Sequence, residues 1–538
     1  MLNLFLRSLH PYNISRTYNK FGIRTLKTNA KHKKVKNKDT LAPKPFQYGK
    51  FGGLAVNKEH LLTHSKNLVS KITTFEQLKL LPDVRTKLKE LIAGETILNK
   101  SVNTSKVDSE CDKIPIEDIK PTPIQVTAIQ KISKKLMDPK LQVHMLAAET
   151  GSGKTMAYIF PLVDYLKRQE NEFPEMWEQI KNKAIIRAII LVPTHELVEQ
   201  VYGTISKLNT PLGLNTFKWD SGTPYPVLLD ALKNRIDIMV TTPGKILSLF
   251  NIRMINRPDR FLSQAKFVVM DEADTLMDQS WVEDTYKAIK LMQNANHLVF
   301  CSATIPAEFE KAMDKLFPTL NLSISPNLHK INKSSKVRFI DASLNPYKGS
   351  KIKALAQTLY AIMMSNTTKR DKRCIVFVNE KKSVGTLVET LRTKYGHDVK
   401  GISSADTVDE RLAILKEFNE AAKVPVIEKQ SSTPKSEIKI TKSNISMKYN
   451  NEPREDEEMA TPVKVLVTTD LLARGMNFKE VNHVILYDIP DKAVDLVHRV
   501  GRTGRMNQSG TVYLIADKKA KSWAKGLPSI VKKNIVLQ

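Results

Sequence analysis

The run Ala148-Glu149-Thr150-Gly151-Ser152-Gly153-Lys154-Thr155 has the composition of a loop that holds a chain of phosphates. Its glycines let successive backbone N–H groups curl around an anion, and a helix opening behind the loop adds favourable partial charge. Lys154 can neutralise β- and γ-phosphate oxygens, and the Thr155 hydroxyl can ligate Mg2+. A Gly-Ser turn before an ordinary helix is the plain alternative. Phosphate chemistry also needs carboxylates at the end of a neighbouring strand, and the run KFVVM (266–270) leads straight into Asp271-Glu272-Ala273-Asp274. Asp271 is placed to hold Mg2+ through water, because that ion favours oxygen ligands and keeps several waters. Glu272 can orient or deprotonate an attacking water. Taken alone, the acidic tetrapeptide could equally be a solvated loop.

These groups need strands to aim them. Short apolar runs recur at 144–148, 188–192, 237–240, 266–270 and 297–300, and a second series follows at 373–378, 463–468, 483–487 and 510–516. Such β-branched runs, with amphipathic stretches between them, mark parallel sheets covered by helices on both faces. A polar segment near 322–336, with Pro326, Asn327, Asn332, Ser334 and Ser335, separates the two series. The expected fold is therefore α/β, with two such domains in tandem. Residues 93–114 and 423–462 lack a sustained apolar period and read as insertions without fixed structure. The second carries the acidic cluster Glu452, Glu455, Asp456, Glu457 and Glu458.

Charge narrows the partners. The 538 residues hold 84 Lys and Arg against 56 Asp and Glu, a formal +28. Ten of those cations fall in the first 38 residues, which contain no acid, and removing them leaves +18 over the other 500. Nucleic acid is the expected polyanion, ahead of an anionic membrane surface. Leu2, Phe5, Leu6 and Leu9 recur at roughly helical spacing beside Arg7, the pattern of a mitochondrial presequence. The alternative for the basic run KHKKVKNK (31–38) is a nuclear or RNA-binding tail. No apolar run reaches 18 residues, so a membrane-spanning helix is not expected. The three cysteines, Cys111, Cys301 and Cys374, form no CxxC pair, which leaves no zinc ribbon or redox dithiol.

Taken in order, AETGSGKT, DEAD (271–274), Ser302-Ala303-Thr304 and His498-Arg499-Val500-Gly501-Arg502-Thr503-Gly504-Arg505 resemble the ordered motifs of DEAD-box RNA helicases. The resemblance spans roughly 73–520. It implies two RecA-like domains with ATP, Mg2+ and RNA bound across their cleft. Gln125, in PTPIQ, would then read adenine, with Phe75 as the upstream aromatic. Arg502 and Arg505 would be arginine fingers acting on the phosphates, where a guanidinium stabilises charge spread by phosphoryl transfer. Alone, that segment could be a basic turn touching RNA phosphate. Asp470, Arg474 and Gly475 match the stretch that joins the ATP and RNA sites, and Asn477 stands where the family reaches the ribose. Ser302, Thr304, Arg474 and His498 would couple hydrolysis to strand separation. RNA contacts carry over to Pro193, Thr194, Glu196, Gly222, Thr242, Pro243, Gly244, Arg411 and Thr469. The implied division is a presequence at 1–38, a basic linker at 39–72, domains at 73–330 and 336–525, and a short tail at 526–538.

The chain also departs from the family pattern. His195 and Lys245 replace arginines, Ser221-Gly222 replaces a glycine pair, Val408 stands for a glutamine, and Asn477 for an aspartate. Losing Arg at 195 removes a permanent charge and a bidentate phosphate donor. The expected activity is ATP-dependent, sequence-independent RNA unwinding or remodelling; an ATP-gated RNA clamp with slow turnover is the alternative. A GTPase, an ABC-type ATPase or a DNA translocase fits poorly, since neither NKxD nor an LSGGQ-like stretch occurs. PTHEL, TTPGK and ARGMN resemble a fungal mitochondrial branch of the family associated with large ribosomal subunit assembly. That implies mitochondrial ribosomal RNA and a pre-ribosomal particle as partners in the matrix. Intron splicing and mRNA maintenance are the alternatives. Nothing in the sequence points to a membrane partner or a homo-oligomer.

Overall fold

The computed structural model describes Leu54 and residues 59–95, 116–255, 257–278, 281–332, 334–365, 372–420, 437–439, 446–448, 463–470, 478, 481–504, 509–517 and 522–537. The presequence at 1–38, Cys111, Arg474, Gly475, Asn477 and Arg505 lie outside the described residues.

The first series of apolar runs builds β1 (Gln142–Ala147), β2 (Ile186–Leu191), β3 (Thr216–Trp219), β4 (Ile236–Thr241), β5 (Phe267–Asp271), β6 (His297–Ser302) and β7 (Asn321–Ile324). They form one parallel sheet in the order β3-β4-β2-β5-β6-β1-β7. The inner strands β1, β2, β4, β5 and β6 are buried at every position, as expected where helices cover both faces.

A second sheet begins with β8 (Ser335–Asp341), β9 (Lys372–Phe377) and β10 (Val399–Ile402). After a separate antiparallel hairpin of β11 (Glu437–Lys439) and β12 (Ser446–Lys448), it continues with β13 (Val463–Thr468), β14 (Val481–Leu486) and β15 (Gly510–Ala516). The strand order is β10-β13-β9-β14-β15-β8, again parallel throughout.

Several expectations change. The stretch read as a linker holds the helix Glu59–Lys71, with Ser65 buried and Leu62 packed on the first core. The insertion at 93–114 starts late, because the helix Pro82–Glu95 runs into it. The insertion at 423–462 contains the β11–β12 hairpin, where Ile438 pairs with Met447. The expected tail at 526–538 is also part of the packing, since Leu527, Ile530, Val531 and Leu537 are buried. Among the described residues, no helix is long and apolar enough to cross a membrane.

Parallel pairing sends every strand the same way, so the loops after β1, β2, β3, β4, β5 and β6 share one sheet edge. Ligands of open α/β sheets bind outside the carboxyl ends of strands. In the register, Ala147 lies beside Ser302 and Asp271 beside Cys301. The phosphate loop, the acidic tetrapeptide and Ser302-Ala303-Thr304 are therefore immediate neighbours.

Candidate active site

The loop after β1 turns through Gly151 and Gly153 at φ 77° and 86°, the left-handed region where glycine costs least. A Cβ on Gly153 would stand 2.6 Å from Gln125 Nε2. That amide donates to the Gly153 carbonyl at 3.3 Å, while Gln125 Oε1 accepts from Thr122 N at 2.9 Å and caps the helix Pro123–Ser133. Gln125 thus ties its own helix to the phosphate loop. Lys154, which opens the helix Lys154–Glu172, is buried with its ammonium on the carbonyls of Ala148 and Glu149 at 3.0 and 3.1 Å. Phosphate oxygens would compete for that same charge. Ser152 and Thr155 are half-buried beside it.

Phe75, which the resemblance makes the upstream aromatic, is fully buried, its ring stacked on Phe160 at 5.1 Å between centroids. It supports the helix behind the phosphate loop, because apolar contact with Phe160 removes more surface from water than an exposed ring would.

At the end of β5, Asp271 Oδ1 accepts from Glu272 N at 3.0 Å and Oδ2 from the Tyr158 hydroxyl at 2.9 Å. Burial, then the neighbouring Glu272 carboxylate, push Asp271 up to about 6 against the pull of Lys154. Glu272 has φ 51°, an uncommon backbone for a non-glycine residue and one found at functional sites. Its Oε2 is buried with no hydrogen-bond partner. Two adjacent buried carboxylates, one of them with an unpartnered oxygen, and the Thr155 hydroxyl make a hard-oxygen set suited to Mg2+. Sequence reasoning missed Tyr158; its signal is its place three residues after Thr155, one helical turn on.

The second sheet closes over this edge. Thr150 Oγ1 donates to the Gly501 carbonyl at 3.2 Å, and a Cβ on Gly501 would fall 1.9 Å from that same oxygen. Only glycine lets the two loops meet. His498, on the helix Ala493–Val500, places Nε2 2.9 Å from Asp274 Oδ2 and Nδ1 4.0 Å from Glu272 Oε2. Asp274 Oδ2 also accepts from the Thr304 hydroxyl, and Ser302 Oγ donates to the Thr304 carbonyl at 2.7 Å. Ser302, Thr304, Asp274 and His498 therefore form one buried chain across the two sheets.

Arg502 is 1% exposed, with Nε donating to the His498 carbonyl at 3.1 Å, one turn back. Arg499, to which the motif alone assigned no role, grips Asp470 with Nε at 2.6 Å and Nη2 at 2.7 Å. It also donates to the Asp488 carbonyl and Asn379 Oδ1, both at 2.8 Å. This planar fork fastens the Asp470 turn to the helix that leads into Arg502.

The residues that the resemblance assigns to RNA gather on the neighbouring loops. Thr194 and Thr242 each cap a helix, accepting from Leu197 N at 3.4 Å and Lys245 N at 3.3 Å. Pro193 is buried before the first cap, and Pro243 is buried at the start of the second helix. Gly244 is exposed, with nothing within 4 Å of where a Cβ would stand, and exposed Gly222 has only Asp220 Oδ1 at 3.8 Å. Their own protein leaves that space open. Thr469 is half-buried directly after β13.

Arg411, which the resemblance places among the RNA contacts, reaches the first sheet's side of the cleft. Its Nε donates to Glu196 Oε1 at 2.6 Å across the cleft, with both residues buried, and its Nη1 donates to the Asp406 carbonyl at 3.3 Å. Its charge serves the junction between the sheets, because a buried carboxylate at Glu196 demands a partner. Two departures from the family meet each other. Ser221 N donates to His195 Nδ1 at 3.3 Å, and Ser221 Oγ lies 3.0 Å from Nε2. An accepting Nδ1 places the ring proton on Nε2, the neutral form, and burial pulls His195 below its ordinary value. Lys245 lies 4.7 Å over the Trp219 ring, whose Nε1 donates to the Lys245 carbonyl at 3.0 Å.

Comparison with known proteins agrees with this geometry. A DEAD/DEAH box helicase model matches residues 122–312, and a helicase conserved C-terminal domain model matches 427–507. The ATP-dependent RNA helicase MRH4, mitochondrial, of Kluyveromyces lactis is 55% identical over 501 residues, covering 91% of this chain and 85% of that one. The protein of the same name from Saccharomyces cerevisiae is 51% identical over 515 residues, covering 94% and 90%. Among solved structures, Mss116p bound to ssRNA and AMP-PNP aligns with TM-score 0.60 at 19% identity, over 87% of this chain and 80% of that one. S. cerevisiae Dbp5 bound to RNA and ADP BeF3 aligns with TM-score 0.56 at 20% identity, over 86% and 99%. These two establish the shared fold of tandem RecA-like domains. By the relatives that match along nearly its whole length, this chain belongs to the DEAD-box ATP-dependent RNA helicases and is mitochondrial.

Proposed function

We propose that this helicase grips RNA by its sugar-phosphate backbone, without sequence preference, and locally unpairs it while the two sheets are closed. The observation that carries the reading is the composite edge. Thr150 with Gly501, and Asp274 with His498, join the ATP-side loops of one sheet to the finger-bearing segment of the other. On the same edge, Gly222 and Gly244 leave open space beside capping threonines. Small polar groups and exposed amides suit phosphate and sugar contacts, which carry no base information.

In this reading, Lys154 and the amides of Gly151, Ser152 and Gly153 bind the phosphates, and Gln125 holds the base-side helix against them. Glu272 orients the attacking water and takes its proton at Oε2. Tyr158 fixes the Asp271 carboxylate. Mg2+, held by Thr155 and Asp271, would neutralise charge on the β- and γ-phosphates. Arg502, with Arg505, stabilises charge spreading over the transferred phosphoryl group. Closure is a population shift, favoured because ATP and RNA each bind the closed form better. Loss of phosphate then releases it through the Thr304–Asp274–His498 chain.

The target we infer is mitochondrial ribosomal RNA during large-subunit assembly, supported by the PTHEL, TTPGK and ARGMN resemblance and by the strongly basic chain. A clamp with slow turnover is the second reading, and the His195–Ser221 pair favours it, since that imidazole is neutral where a guanidinium would hold phosphate. Strand displacement on duplexes of unrelated sequence, with ATP against GTP, tests the first reading. Equal, ATP-specific displacement across sequences supports it. Absent displacement with ATP-dependent retention of RNA supports the clamp.

A further inference from the structure

The polar connection between the sheets is packed against both halves of the catalytic edge. Midway along it, His329 is 1% exposed and sits at φ 62°. Its Nε2 accepts from Ile305 N at 2.9 Å, the residue directly after Ser302-Ala303-Thr304, and its carbonyl accepts from Leu537 N at 3.0 Å. Towards its end, two side chains converge on one carbonyl of the finger-bearing loop. Asn332 Nδ2 donates to Gly504 O at 2.7 Å, and Ser334 Oγ donates to the same oxygen at 3.0 Å. Asn332 Oδ1 in turn accepts from Ser334 N at 3.2 Å, which orients its amide.

The crowding at Gly504 is specific. It sits at φ 67°, and a Cβ there would lie 2.2 Å from Ser335 Oγ and 3.0 Å from Ser334 Oγ. Gly510 N donates to the Ser334 carbonyl at 3.1 Å, and β15 starts there, paired with β8 at Ser335. The loop carrying Arg502 is therefore held two residues downstream by the connection itself. A carbonyl that accepts two bonds from one short segment has little freedom to turn.

We propose that Asn332 and Ser334 are positioning residues for Arg502, clasping the Gly504 carbonyl so that the connection sets where the guanidinium stands on the phosphates. His329 anchors the same connection to the segment after Thr304, so closure and finger placement become one movement. The proposal rests on the reading of Arg502 as a finger. Misplacing a catalytic group by about 1 Å can cost up to about a hundredfold.

The test uses the full chain with saturating RNA. An Asn332→Ala/Ser334→Ala double variant is expected to lose about tenfold or more in kcat, with KM for ATP and apparent RNA affinity within about twofold. Ser334→Thr, which keeps the hydroxyl, is expected to turn over normally. Unchanged kcat in the double variant overturns the clasp. So does a loss in which kcat and KM shift together with a lower Tm, since that marks a merely structural role. Arg502→Ala is measured in parallel. If it abolishes turnover while the double variant does not, the clasp alone falls; if it keeps RNA-stimulated turnover, the finger reading falls with it.

Discussion

Tyr158 sits between the two parts of the nucleotide site that sequence motifs define separately. Its hydroxyl is the donor that fixes Asp271 Oδ2. Tyr158→Phe leaves a buried carboxylate oxygen short of a bond, worth about 1.5–3 kcal/mol where the acceptor is charged. The expected outcome is a fall of about tenfold in kcat/KM, with a higher Mg2+ concentration at half-maximal rate, read by titrating Mg2+ at fixed ATP. On the face proposed to grip RNA, His195 is neutral because burial opposes its charge and Ser221 N donates to Nδ1. Its protonation lies below the ordinary histidine range, so RNA affinity is expected to be flat above pH 7 and to rise only on acidification. His195→Arg restores a permanent cation. The slope of log affinity against log salt should then steepen by about 0.7 for single-stranded RNA. The motif residues were legible because each lies in a short contiguous run. Tyr158, Arg499 and the His195–Ser221 pair were not, because sequence does not say which polar side chains face one another.

Elements show the same divide. The buried inner strands are marked in the sequence as continuous apolar runs. In the two large sheets, the strands that no such run marks, β3, β7, β8 and β10, are the four edges. They are short or partly exposed, with β3 and β10 buried only at their end residues, so the apolar signal is broken there. The polar segment read as a domain boundary in fact contains the end of β7 and the start of β8. Three strand histidines add a pH dependence. Burial lowers His144 on β1 to about 3, His483 on β14 to about 4, and His297 on β6 below its ordinary value. Below the unfolded value of 6.5 the unfolded chain binds the extra protons, so stability falls with falling pH towards those lowered values. His144 and His483 each contribute a slope that approaches about 1.4 kcal/mol per pH unit between those limits. Tm measured from pH 7 to pH 4.5 should drop steadily, and less steeply in His144→Gln.

At the scale of the whole molecule, the contacts that matter join distant residues. Thr150 and Gly501 lie 351 positions apart, Asp274 and His498 lie 224 apart, and Glu196 and Arg411 lie 215 apart. The family resemblance implied a shared cleft, but only the structure shows which pairs seal it. Arg411→Ala leaves Glu196 charged and buried without its partner. Breaking such a pair costs about 3–5 kcal/mol, borne here by the closed form alone. RNA affinity with a non-hydrolysable ATP analogue should fall by about a hundredfold to a few thousandfold, while ATP binding by the first domain stays unchanged. Gly501→Ala should act on the same closure, since its methyl would overlap Thr150. RNA-stimulated turnover is expected to fall to about a tenth of the parent rate or lower, within the range that a misplaced catalytic group loses.

The most direct measurement is ATP hydrolysis by the chain without its first 38 residues, with and without single-stranded RNA, beside Glu272→Gln. A composite site closed by ATP and RNA together predicts strong RNA stimulation in the parent. Glu272→Gln should lose that turnover yet keep ATP-dependent RNA binding. Hydrolysis indifferent to RNA, or tight ATP-dependent RNA binding with negligible turnover in the parent, would contradict it.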